Sequence, residues 1–122
     1  MWMMTKYGFF SVVEFRGEPH NLLIRARRRD HLEAIKKRFA QQLTGYEILQ
    51  TSEADYPCRM KVPRRTWESI VCEIIAHEID YPDFKSAVKN PGTRTYNPGL
   101  ASYLNFLHRV WSLGHGMEDP RK

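Results

Sequence analysis

Cysteine and long apolar runs are both scarce in this chain. Its 122 residues include two cysteines, Cys58 and Cys72, which form no close pair. We expect both to be small, reduced, apolar side chains, as is usual in the cytoplasm. The longest uncharged apolar runs fall far short of the roughly 20 residues of a membrane-spanning helix. The start, "MWMMTKYGFF", lacks the features of a secretory signal, so the sequence predicts a cytoplasmic protein that is not associated with membranes.

Familiar catalytic and cofactor motifs are also absent. The sequence contains no phosphate-cradling glycine loop, no dinucleotide-binding fingerprint and no nucleophile elbow. It contains no RNA-recognition motif or other established nucleic-acid-binding signature either. The sequence therefore predicts no cofactor, and it favours a binding protein over an enzyme.

Length and composition are those of one globular domain. The chain has a mass of 14.4 kDa, with 42% hydrophobic and 27% charged residues. We assign the domain to residues 1–113 and predict that residues 114–122 form a disordered tail. The net charge of +5 is uneven, since residues 1–43 contribute +5, residues 44–83 contribute −4 and residues 84–122 contribute +4. A basic protein with a pI near 9.4 is attracted to polyanions.

The first third of the chain predicts two strands and a helix. Aromatic and β-branched residues favour a strand at 7–15, and turn residues follow at 16–21. Alternation of apolar and basic residues favours a second strand at 22–27. A helix is expected to begin after an N-cap at Asp30 and to run to about Gln42.

The same order of elements then recurs. Strands are predicted at 46–51 and 58–62. A helix follows a cap at Thr66, with Ile75 and Ile79 on its apolar side, and it ends near Tyr81, where the next residue is proline. A last amphipathic helix is predicted over 100–113. The sequence thus predicts an α+β fold: a four-stranded antiparallel sheet from two ββα units with helices on one face, plus a C-terminal helix.

Several short stretches resemble a family of small bacterial proteins. They are "WMMTKYGFFS" at the start, "RAR" on the second predicted strand, "DYP" before the fourth, "IDYPDFK" after the second helix and "HRVW" near the end. Their order, over nearly the whole chain, makes it similar to this family of uncharacterised proteins of about the same length. The family has no assigned activity, so the resemblance implies no catalytic or binding residue.

Basic residues gather where the predicted strands lead into helices. Strand alternation places four cations on the sheet face away from the helices, and four more arginines lie at the strand-to-helix junctions. The eight candidates for nucleic-acid binding are Arg25, Arg27, Arg59 and Lys61 on the face, and Arg28, Arg29, Arg64 and Arg65 at the junctions. With aromatic residues such as Phe9 or Tyr46, this surface could hold phosphates and stack bases. The alternative is an ordinary solvated face, which antiparallel sheets commonly keep.

Two histidines raise the question of catalysis. Glu73, His77 and Asp80 are spaced to share one face of the second helix, and they are weak candidates for a divalent metal site or for a carboxylate-oriented base. They lack a fourth ligand and the H-E-x-x-H arrangement, so a solvated helix face is the alternative. His108, in "FLHRVW", is expected to be a buried or half-buried histidine bonded to backbone, with catalysis or a ligand contact as the alternative.

The C-terminal helix carries more apolar surface than one core contact needs. Its candidate interface residues are Leu104, Leu107 and Trp111, and the helix either packs between elements or meets another chain. If it covers the basic sheet face, the cations must lie at the rim. Three functions stay open: binding of nucleic acid or an acidic protein, homo-oligomerisation through this helix, and metal-dependent hydrolysis. The sequence favours the first.

Overall fold

An antiparallel sheet of five strands is the centre of the fold, which a computed structural model describes over residues 1–89 and 100–117. The strands are β1 (Trp2–Thr5), β2 (Gly8–Phe15), β3 (Glu18–Ala26), β4 (Leu49–Gln50) and β5 (Cys58–Pro63). Their order across the sheet is β1-β2-β3-β5-β4, and every neighbouring pair is antiparallel. The predicted α+β class is confirmed, with one strand more than the four expected.

Five α-helices and one π-helical segment accompany the sheet in the described ranges. They are α1 (Arg29–Arg38), α2 (Ala40–Leu43), α3 (Arg64–Glu73), the π-helical segment Ile74–Glu78, α4 (Phe84–Lys89) and α5 (Leu100–Gly114). None of these helices combines the length and the apolar character that a membrane-spanning segment requires. Residues 90–99, between α4 and α5, lie outside the described residues, as do residues 118–122 of the predicted tail.

The strand that the sequence did not predict is β1. It pairs with β2 from Trp2 opposite Ser11 to Thr5 opposite Gly8, so two residues connect the strands. The Thr5 hydroxyl accepts hydrogen bonds from the N–H groups of Tyr7 (3.1 Å) and Gly8 (3.2 Å). A threonine side chain therefore stabilises this turn, in place of the Asn-Gly or Asp-Gly pair that signals a hairpin in sequence.

The main core lies between one face of the sheet and helices α1 and α3. Successive strand residues point to opposite faces, so alternate residues in the central parts of β2, β3 and β5 are buried on this side. These residues are Phe10, Val12, Leu22, Ile24, Ala26, Cys58, Met60 and Val62. Leu32 and Ile35 of α1 and Trp67 and Ile70 of α3 complete the core. We call the opposite side of the sheet the open face.

The second predicted helix changes its hydrogen bonding at Ile74. The π-helical segment has wider turns than an α-helix, so the apolar face predicted from a 3.6-residue period does not continue. Ile75 and Ile79, predicted to be apolar-facing, are exposed, whereas Glu78 is buried. Glu78 accepts a hydrogen bond from the Tyr7 hydroxyl and pairs with Arg38.

Helices α4 and α5 pack on the open face over Phe9, near the start of β2. Phe9 is 5% exposed and lies in a small apolar cluster with Val88 of α4 and with Tyr103 and Leu107 of α5. The Tyr103 hydroxyl also donates a hydrogen bond to the Thr5 carbonyl oxygen (2.6 Å). The C-terminal helix thus covers part of the open face.

Candidate nucleic-acid interface

One row of side chains crosses the open face from edge to edge. The register pairs Trp2 with Ser11, Ser11 with Arg25, Arg25 with Arg59, and Arg59 with Leu49. Directly opposed residues of antiparallel strands lie on the same face, so these five side chains form one row. Trp2 and Leu49 are exposed at its ends, Ser11 is buried, and the two arginines are half-buried at its centre.

Three arginines contact Tyr56, in the loop before β5, two of them through its ring and one through its carbonyl oxygen. The guanidinium carbons of Arg25 and Arg27 lie 4.9 and 5.3 Å from the centre of this ring. Arg59 Nε donates a hydrogen bond to the Tyr56 carbonyl oxygen (3.2 Å). Cation–π contacts of this kind are worth about 0.5–1 kcal/mol at exposed sites. Tyr56 therefore orders these three side chains, which we call the arginine cluster.

The arginine cluster is not neutralised within the described structure. No carboxylate of residues 1–89 or 100–117 lies within 4.0 Å of its guanidinium nitrogens. Arg25 Nη2 donates to Ser11 Oγ (2.8 Å), and the buried Arg25 Nε meets no acceptor in that part of the chain. Buried donors are usually satisfied, so Arg25 Nε is an exception among the described residues.

Four of the other five predicted cations are paired with carboxylates. The pairs are Arg28–Asp30 (3.0 Å), Arg29–Glu33 (2.9 Å), Lys61–Glu18 (2.8 Å) and Arg64–Glu14 (2.8 Å). Arg65 is exposed on α3, on the helical side of the sheet. The structure therefore brings together Arg25, Arg27 and Arg59, whereas four of the other five predicted cations have a carboxylate partner.

The aromatic residues beside the arginines differ from those predicted. Phe9 is buried beneath α5, and Tyr46 packs against the main core. Trp2 and Tyr56 are the aromatic side chains of the row and the cluster, and sequence reasoning assigned neither of them to the nucleic-acid-binding surface. Tyr56 lies in a turn and Trp2 on an unpredicted strand, so neither residue carried a signal in the hydrophobic pattern.

The C-terminal helix contributes two of its three predicted interface residues to packing within the chain. Leu107 is 5% exposed in the cluster around Phe9, and Leu104 packs against the same cluster. Trp111 is 54% exposed. Of the two possibilities in the sequence, packing between elements accounts for Leu104 and Leu107, whereas an interface stays a prediction for Trp111.

The weak metal candidates do not form a cluster. Among the residues described, no group of three His, Cys, Asp or Glu side chains is placed to hold a metal ion. Glu73 ends α3, His77 lies in the π-helical segment and Asp80 follows it, so the predicted α-helical spacing does not apply. A pocket of about 490 Å³ is lined by Glu73, Arg38 and residues 39–42, and neither His77 nor Asp80 reaches it.

His108 is exposed, contrary to the expectation of a buried histidine. Its ring stacks on Trp111, with 5.8 Å between centres and 22° between planes. Trp111 also meets His115 (4.3 Å) and lies beneath the Lys85 ammonium (5.0 Å). These contacts place His108 on the outer surface of α5.

The buried histidine of the protein is His31, which sequence reasoning placed only in the basic stretch. Its Nδ1 accepts a hydrogen bond from the Phe9 N–H (3.2 Å), and its ring lies 4.9 Å from that of Tyr103. Its Nε2 is buried and has no partner in the described ranges. Burial lowers the pKa of His31 below 6.5, and the Arg28 charge adds to this against an opposing contribution from Asp30.

We expect His31 to make the protein less stable in acid. The unfolded chain takes up a proton near pH 6.5, whereas the folded chain resists it. The free energy of unfolding should therefore be highest above pH 6.5 and fall below it, by at most about 1.4 kcal/mol per pH unit. Urea denaturation between pH 5 and 8 measures this slope. His31→Gln should flatten the dependence of stability on pH. The control His77→Gln, at an exposed site, should leave that dependence as in the wild type. Equal slopes in all three proteins would contradict the role given to His31.

Comparisons of the chain with protein-family models, with curated proteins and with solved structures find no match. The resemblance to a family of small bacterial proteins stays a prediction. Function is therefore inferred from the geometry and charge of the residues themselves.

Proposed function

We propose that this protein binds nucleic acid through the arginine cluster on the open face of the sheet. The observation that carries this proposal is the direct pairing of Arg25 with Arg59 across β3 and β5 with no carboxylate beside them in the described residues. Like charges directly opposite each other destabilise a sheet. An anion that bridges the two guanidinium groups removes this repulsion.

Arginine suits this task through its shape as well as its charge. A guanidinium group presents several donors in a planar fork that matches phosphate oxygens. Ser11 and Tyr56 already position the three guanidinium groups, so less side-chain entropy is lost when a phosphate binds. The positive charge of the whole chain favours the encounter with a polyanion.

Removal of two cluster charges is expected to weaken binding by about 30-fold. This value corresponds to about 1 kcal/mol for each of the two charge-assisted hydrogen bonds to phosphate that Arg25→Ser/Arg59→Ser removes. Fluorescence anisotropy of a labelled oligonucleotide at several salt concentrations measures it. The slope of log Kd against log salt should fall by about 1.4, since each phosphate contact on a single strand contributes about 0.7.

The matched control is Lys37→Ser/Arg65→Ser. It removes the same charge from α1 and α3, on the other side of the sheet, at two exposed residues. We expect it to bind nearly as tightly as the wild type. Equal losses in the two double variants would reduce the proposal to a general attraction between a basic protein and a polyanion. If the protein bound an acidic protein tightly but did not bind nucleic acid, its partner would be an acidic protein and the proposal would be wrong.

A second candidate function is self-association through the end of α5. Trp111, Leu113 and Met117 are all exposed there. Exposed apolar residues in one area are typical of protein interfaces. Light scattering measures the mass of the wild type and of Trp111→Asp in solution. Self-association requires a larger mass for the wild type than for the variant.

A further inference from the structure

The cross-strand row has exposed apolar side chains, Trp2 and Leu49, at its ends and two arginines at its centre. This arrangement points to one form of nucleic acid. We propose that the protein selects single strands, with a base stacked on Trp2 and the sugar–phosphate backbone held by Arg25 and Arg59. This inference rests on the proposed function, because it specifies which nucleic acid the same surface takes. Its first support is Trp2, which is 70% exposed and lies in the same row as both arginines.

Trp2 is exposed but held in place. Its strand is paired along its whole length with β2, and the Met1 ammonium donates a hydrogen bond to the Val12 carbonyl oxygen (2.8 Å). The Trp2 ring also packs on Phe9 in an edge arrangement, with 6.0 Å between centres. Phe9 is itself fixed by Phe106 of α5, at 4.9 Å. A large flat ring that is fixed and solvent-facing is what base stacking needs, because little order is lost on binding.

The spacing of the strands fits a short length of nucleic acid. Neighbouring strands lie about 4.8 Å apart, so about 10 Å separates the Trp2 backbone on β1 from Arg25 on β3, and about 15 Å separates it from Arg59. Ser11 lies between Trp2 and Arg25, and because it is small and buried it does not block a strand that runs from one to the other. A base on Trp2 and a neighbouring phosphate at the arginines can therefore be bound together.

Helix α5 limits the direction in which a bound strand can cross the open face. It packs over Phe9, on one side of the row, through Tyr103, Phe106 and Leu107. The accessible route consequently follows the row towards Arg59 and Leu49 and does not cross Phe9.

A duplex fits this surface poorly. Its bases are stacked on one another, so Trp2 could reach only their edges or the backbone. The open face presents several neighbouring strands of a sheet, whereas proteins read the major groove of a duplex with a helix or a two-stranded ribbon. Recognition of an acidic protein would use the arginines but would have no base to stack on Trp2.

The test compares Trp2→Ala and Trp2→Phe with the wild type on four probes: single-stranded oligouridine, single-stranded oligothymidine, a duplex of the same length, and heparin, which has charge but no bases. We expect the wild type to bind at least one of the single strands about tenfold more tightly than the duplex. Trp2→Ala should lose about tenfold on that strand and nothing on heparin, and Trp2→Phe should retain most of the affinity. Wild-type tryptophan fluorescence should be quenched by the strand, and Trp2→Phe should lose that quenching.

The outcomes separate this inference from the proposed function. Equal binding of strand, duplex and heparin, or a Trp2→Ala variant that binds the strand like the wild type, would overturn single-strand selection and leave polyanion binding standing. Failure of the wild type to bind any of the probes at low salt would overturn both. Trp2→Phe, which keeps an aromatic ring in β1, shows whether a loss in Trp2→Ala reflects stacking or a disturbed strand.

Discussion

Gly8→Ala is expected to lower the free energy of unfolding by about 3 kcal/mol. Gly8 has a φ of +150°, a conformation that residues with a Cβ rarely adopt. A Cβ built there would lie 2.3 Å from Cγ of His31. The imidazole cannot move away freely, because the Phe9 N–H and the Tyr103 ring hold it. Backbone strain and overpacking each contribute about 1–3 kcal/mol.

Gly17→Ala is the matched control for this prediction. Gly17 also has a positive φ, +81°, but no atom lies within 4 Å of a Cβ built there. We expect this variant to lose about 1 kcal/mol, from backbone strain alone. Urea denaturation of the two variants beside the wild type therefore separates strain from steric overlap. A Gly8→Ala variant no less stable than Gly17→Ala would contradict the placement of His31 against the β1–β2 hairpin.

Leu107→Asp is expected to cost about 4 kcal/mol. Leu107 is buried within one chain, in the cluster that attaches α5 to Phe9. The substitution removes apolar packing and places a carboxylate among aromatic side chains, and each change is costly. Chemical denaturation measures the destabilisation, and hydrogen exchange of the α5 amides shows whether the helix detaches before the sheet unfolds.

Trp111→Asp, one turn further along α5, should change stability by no more than about 0.5 kcal/mol, because Trp111 is exposed. The pair of variants also distinguishes packing from assembly. If Leu107→Asp were as stable as Trp111→Asp and both reduced the mass measured by light scattering, Leu107 would be buried between chains and the described attachment of α5 would be wrong.

Strand alternation predicted the arrangement of the arginines well, because a period of two depends only on local backbone geometry. Leu22, Ile24 and Ala26 are buried against the helices, which directs Arg25 to the open face. In the same way Met60 is buried and Arg59 points away from the helices. The pairing of β3 with β5, which makes Arg25 and Arg59 direct neighbours, was not predicted from the sequence, and its register is consistent with the burial of Ile24 opposite Met60.

Two of the four ion pairs could not be predicted, because their carboxylates reach the cations from distant parts of the chain. Glu18 pairs with Lys61, and Glu14 pairs with Arg64, across separations that only the folded sheet brings together. The hydrophobic pattern also gave no indication that Trp2 lies on a strand, since a methionine-rich start lacks the alternation typical of a strand.

The end of the second long helix shows a further limit of periodicity. A 3.6-residue period predicted Ile75 and Ile79 to be buried, but the π-helical segment turns Glu78 inward instead. Glu78 is accommodated because Tyr7 and Arg38 meet it there. Its partners come from the β1–β2 hairpin and from α1, so the change of helical geometry depends on tertiary contacts that no local pattern contains.

The most direct measurement of nucleic-acid binding at the open face is an NMR titration of the isotope-labelled protein with a single-stranded oligouridine of about 12 nucleotides, a length within the range that sheet-based sites cover. We predict that the largest amide shifts occur at Ser11, Arg25 and Arg59, and that the amides of Lys37 and Arg65 hardly move. Shifts concentrated on α1 and α3, or no shifts at low salt, would contradict a nucleic-acid-binding site at the arginine cluster.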